Sequence, residues 1–65
     1  MCESKVIIRI GSDERTYEEV AYLGFEGGRI TLIDIEGRKH VIEGFTRVVR
    51  IDANFVKHTV QVVLE

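Results

Sequence analysis

Apolar and polar positions alternate with period two along most of the chain. Glycine-bearing turns interrupt them about every ten residues, the rhythm of a small all-β fold. Ser4 to Ile10 predicts a first strand, with Val6, Ile8 and Ile10 on one face and Lys5 and Arg9 on the other. Ile7 breaks the alternation and implies that part of the second face is also covered. By parity Cys2 falls on the side of Val6, near the core edge or an interface. Gly11 to Arg15 is a polar turn. Thr16-Tyr17-Glu18-Glu19 then fits a helical capping box, whereas the aromatic, glycine-bearing Val20-Ala21-Tyr22-Leu23-Gly24-Phe25 suits a bent strand. Together they predict a strand from Val20 to Glu26, preceded at most by one helical turn.

Gly27-Gly28 between two apolar runs predicts a hairpin, because a tight two-residue turn needs positive φ. Arg29 to Ile35 is nearly continuously apolar and predicts a central strand, ended by Glu36-Gly37. Arg38 to Phe45 follows, with Val41 and Phe45 on one face, His40 and Ile42 on the other, and Gly44 permitting a bend. Thr46 to Ile51 is a fifth extended segment and Asp52-Ala53-Asn54 its turn. In the last strand, Phe55 to Leu64, the residues Val56, His58, Val60, Val62 and Leu64 share a face. Five or six short strands in sequential hairpins predict a small closed antiparallel barrel of the SH3 or Sm type. Closure removes the sheet edges that seed aggregation.

Composition sharpens this picture. Sixty-five residues make one domain close to the lower size limit. Such a chain buries only roughly 60% of its unfolded surface, and domains of this size are usually reinforced by disulfides, a metal or a partner. The single cysteine cannot form an internal disulfide, which leaves a metal or a second chain. A lone cysteine outside any disulfide framework fits a reducing, cytoplasmic setting. No signal-peptide pattern is present, and no apolar run approaches the roughly 20 residues that span a bilayer. A net charge of −2, with the signs interspersed, argues against a strong nucleic-acid binder.

No enzyme site is visible. There is no Ser-His-Asp spacing, and Gly24-x-x-Gly27-Gly28 lies in a hairpin rather than at a helix start. Glu18, Glu19, Glu26 and Glu36 flank turns and read as solvated. Asp34, on a central strand, is expected to accept turn or backbone hydrogen bonds near Gly37 rather than act as a general acid. His40 is expected to be exposed after a turn. His58, on the apolar face, reads either as a core or interface residue or as a metal ligand. Arg38, Lys39, Arg47, Arg50 and Lys57 would gather on one side if the last three strands are neighbours. With Tyr17, Tyr22 and Phe55 for stacking they would form an RNA-binding face; scattered, they make an ordinary mixed surface.

Met1-Cys2 has the most distinctive chemistry. Cys2 is either a small apolar residue at the chain terminus or a metal ligand. With Met1 retained, its α-amine, the Cys2 amide nitrogen and the Cys2 thiolate form two fused five-membered chelate rings; with Met1 removed, the Cys2 amine and thiolate form one. Coplanar nitrogen and sulfur donors suit Ni(II) or Cu(II). One chain supplies two or three donors at most, so two N-termini would be needed to complete the set.

Further segments extend this reading: Met1-Cys2-Glu3, Asp34-Ile35-Glu36-Gly37, Val41-Ile42-Glu43-Gly44, Val48-Val49-Arg50-Ile51-Asp52 and Val60-Gln61-Val62-Val63-Leu64. In this order, behind an N-terminal Met-Cys, they make the chain resemble the CooT family of small nickel-binding proteins, members of which have also been labelled predicted RNA-binding proteins. The resemblance implies a small β-barrel homodimer that binds one Ni(II) through the cysteine at position two and serves the maturation of nickel-dependent carbon monoxide dehydrogenase. Cys2 carries over directly, whereas His40 and His58 match no ligand of the family. The expectation is a non-enzymatic, metallochaperone-like homodimer with a nickel enzyme as client. The alternative is an RNA-binding module using Arg38, Lys39, Arg47 and Arg50.

Overall fold

The structure, a computed structural model, describes residues 4–65. Six strands form one sheet: β1 (Ser4–Ile10), β2 (Asp13–Glu26), β3 (Arg29–Asp34), β4 (Lys39–Ile42), β5 (Val48–Asn54) and β6 (Thr59–Leu64). Their spatial order is β4-β3-β2-β1-β6-β5. The fold is all-β, and no helix occurs among the described residues.

β1 matches its sequence pattern: Val6 and Ile8 are buried, while Lys5 and Arg9 are exposed. β2 does not. Instead of a helical turn followed by a short strand, it is a single strand of 14 residues. Thr16 and Tyr17, inside the expected capping box, pair instead with Ile7 and Val6. Ladder bonds to β1 win over a weak local helix signal, because strand preference is set largely by neighbours. The strand bends where the sequence suggested. Its register slips against β1 between Tyr17 and Val20, where Glu19 has φ 57°, and against β3 between Val20 and Tyr22. Such bulges kink a strand. The first half of β2 therefore pairs with β1 and the second half with β3, and the sheet folds over on itself.

That fold makes the core. Ile30 and Leu32 on β3 meet Val6 and Ile8 on β1 and Val62 and Leu64 on β6, with Val20 at the bend. Ile30, Leu32 and Val62 are completely buried.

The expected closed, wholly antiparallel barrel is corrected in two respects. β1 and β6 run parallel, in register from Lys5↔Thr59 to Ile10↔Leu64. The segment from Glu43 to Arg47 carries the chain from one edge of the sheet to the other, so β4 and β5 are its two edges and are not bonded to each other. The last turn also moves. Asn54 Oδ1 accepts hydrogen bonds from the amides of Val56 (3.1 Å) and Lys57 (3.0 Å), so β5 runs on to Asn54 and the turn is Phe55–His58. Phe55 and Val56 are consequently exposed rather than part of the last strand.

Candidate functional site

Asp34 is the one buried charged residue among the described positions. It ends β3, and its carboxylate organises the connection to β4. Oδ1 accepts from the amides of Glu36 and Arg38, each at 2.9 Å, and Oδ2 accepts from Arg38 Nε at 2.9 Å. The backbone closes the same turn: the Gly37 amide donates to Asp34 O, and the Asp34 amide to Arg38 O. Gly37, at φ 86°, takes the left-handed position that the turn requires. The Arg38 amide is the main cause that lowers the Asp34 pKa to about 2; the Arg38 side chain and the Glu36 amide add to it, and together they outweigh desolvation. Asp34 in turn holds the Arg38 guanidinium above its usual range. The expectation of backbone hydrogen bonding near Gly37 is met. With its oxygens already occupied, Asp34 is a structural carboxylate.

His40 stands beside this turn, its Nε2 3.8 Å from Asp34 Oδ2, with its ring tilted against that of Tyr17 at a centroid distance of 5.5 Å. That contact is not legible in the sequence, because Tyr17 and His40 lie on strands that share no hydrogen bonds. His58 is not on an apolar strand face. It is an exposed residue of the Phe55–His58 turn with φ 54°.

The predicted ligands Met1 and Cys2 lie outside the described residues. Their point of attachment does not. β1 starts at Ser4, opposite Val20, and the next residue, Lys5, donates its amide to His58 O at 2.9 Å. The N-terminal segment is thus joined to the sheet between the bend of β2 and the β5–β6 turn. Val20 in turn pairs with Asp34, which puts the Asp34 backbone two strand spacings, about 10 Å, from Ser4.

The basic residues are not gathered as the RNA reading required. Arg38 and Lys39 belong to one edge of the sheet, Arg47 and Arg50 to the other. Arg38 is paired with Asp34 and Glu36, Arg47 with Glu65, and Arg50 with Asp52. These pairs cancel the local positive charge.

As for a metal, no group of three or more His, Cys, Asp or Glu side chains among the described residues could hold an ion. The expected donors, Met1 and Cys2, lie outside those residues. A thiolate, an amine and a deprotonated amide fit Ni(II) chemically, because they supply the strong in-plane field that the ion accepts. They do not fill its coordination sphere from one chain.

The comparisons with known proteins complete the picture. A family model described as CO dehydrogenase accessory protein CooT matches residues 1–63. No curated protein matches the chain. Since the match covers essentially the whole chain, from Met1-Cys2 through β6, the protein belongs to the CooT family of CO dehydrogenase accessory proteins, which are not themselves enzymes.

Proposed function

We propose that the protein is a metallochaperone-like accessory factor that carries Ni(II) as cargo on Cys2, works as a homodimer and serves the maturation of a nickel enzyme such as carbon monoxide dehydrogenase. The observation that carries this reading is the family match, which begins at residue 1 and so includes Cys2. Support also comes from the described residues, which offer no competing cluster of metal-binding side chains.

In this reading the sheet presents the N-terminus. Hydrogen bonds of β1 to β2 and β6 fix the chain from Ser4 onward, leaving Cys2 two residues beyond a rigid root. The Cys2 thiol must lose its proton to bind, and that proton passes to solvent. A free thiol titrates near 8.5 and is lowered beside a metal, so loading strengthens as pH rises and acid releases the cargo. Two chains with their N-termini together provide two thiolates and the nitrogens needed for a four-coordinate site. A reducing compartment keeps both thiols available.

The test is titration of Ni(II) into the reduced protein, followed by thiolate-to-nickel charge-transfer absorption. The wild-type chain develops a band that saturates at one metal per two chains, and Cys2→Ala loses it. Unchanged affinity in Cys2→Ala refutes the assignment.

A further inference from the structure

The folded sheet leaves a seam between two strand edges. The first half of β2, from Asp13 to Tyr17, pairs with β1, and β3 meets β2 only from Val20 onward. The other edge of that first half is therefore unpaired among the described residues, and so is the outer edge of β4, which pairs with β3 alone. These edges face each other, because residues of both strands line the same cavities. Asp13, Arg15, Val41 and Ile42 share one, and Thr16, Glu18 and His40 share the other.

The separation is informative. No Cα of β2 comes within 8 Å of a Cα of β4. Directly paired strands lie about 4.8 Å apart, so the seam is too wide for the edges to bond each other, while one strand between them needs about 9.6 Å. Tyr17 pairs with Val6 and His40 with Leu32, both core residues, so the two rings lie on the inner side of the sheet. Their contact at 5.5 Å bridges the seam from beneath and holds the edges within reach of a single inserted strand. On β4, Arg38 O accepts from Asp34 N. The two-residue repeat of an antiparallel ladder then turns the N–H and C=O groups of Lys39 and Val41 away from β3, toward the seam.

We propose that this seam is a docking site for an extended segment of another protein, which adds to the free edge of β4 as a strand with alternating apolar and basic side chains. The apolar floor is Ile8, Ile10 and Ile42. Four carboxylates line the groove (Asp13, Glu18, Asp34 and Glu43) against the guanidiniums of Arg15 and Arg38. Asp34 is paired with Arg38 and Glu43 with Arg29, which leaves Asp13 and Glu18 against Arg15, an acidic excess of one charge that calls for a basic partner. Among the described residues every strand is already in its own sheet, so the added strand comes from a second polypeptide. Strand addition of this kind takes affinity from main-chain bonds and selectivity from alternate side chains. The proposal is independent of nickel.

The test uses the full isotope-labelled chain and two end-capped hexapeptides, one alternating valine with lysine, the other valine with glutamate. Amide shifts and exchange protection should appear for the lysine peptide at Lys39 and Val41 and along Asp13–Tyr17. Val41→Pro removes one edge N–H at a position where an edge strand tolerates proline. It should weaken binding about tenfold, the worth of one hydrogen bond. Should Val41→Pro unfold, Glu43→Lys decides, and it should reduce the preference for the lysine peptide. Equal binding of both peptides, shifts spread across the sheet, no shift with either peptide, or edge protection that rises with protein concentration alone would each overturn the proposal. The last result would make a second copy the occupant.

Discussion

Asp34 shows how much one carboxylate can fix. Two backbone amides and one guanidinium converge on it within five residues of chain, and each favours the charged form. Its pKa near 2, against 3.8 for the unperturbed group, means that the unfolded chain binds this proton more readily than the folded one. The charge therefore contributes stability that is fully present above about pH 4 and is lost as pH falls toward 2. Asp34→Asn should be less stable than wild type at neutral pH, with the difference shrinking between pH 4 and pH 2. Urea unfolding across that range measures it, and a difference independent of pH would contradict this role. The backbone part of the arrangement was legible, because an aspartate shortly before a glycine turn accepts amides by a local rule. The Tyr17–His40 contact was not, because it depends on a bend that brings β2 and β4 together.

Among the elements, β2 decides the fold. β1 and the Gly27-Gly28 hairpin were legible because period-two patterning and paired glycines act locally. β2 was not, because Thr16–Glu19 satisfies a helical rule locally and a strand ladder globally, and the ladder offers more hydrogen bonds. The Phe55–His58 turn was misplaced for the same kind of reason: Phe55 and Val56 look like strand residues, yet the Asn54 side chain starts the turn ahead of them. Bending β2 puts Leu32 at the centre of both layers, fully buried. Leu32→Ala should cost ~2–5 kcal/mol, a large part of the reserve of a domain this small. Chemical denaturation would show it, and a loss below ~1 kcal/mol would mean that the layers close over the gap.

For the whole molecule, the all-β class followed from composition and pattern, but closure did not. Strand count and turn spacing say nothing about a parallel partnership between the first and last strands, which depends on contacts far apart in sequence. The open sheet leaves β4 and β5 as edges, and Ser4, the first described residue, is rooted between the β2 bend and the β5–β6 turn. Sequence alone pointed to Cys2, because it is the only thiol in the chain and stands beside Met1 at the start of a segment pattern that resembles the family. In the proposed function the sheet presents Cys2, and pairing of two chains would complete its coordination. The most direct measurement is native mass spectrometry of the reduced protein with Ni(II) added at one ion per two chains. A nickel ion held by the Cys2 thiolates of two chains gives a species of two chains and one nickel that disappears in Cys2→Ala. A nickel-loaded monomer, or the same nickel load on Cys2→Ala, would contradict it.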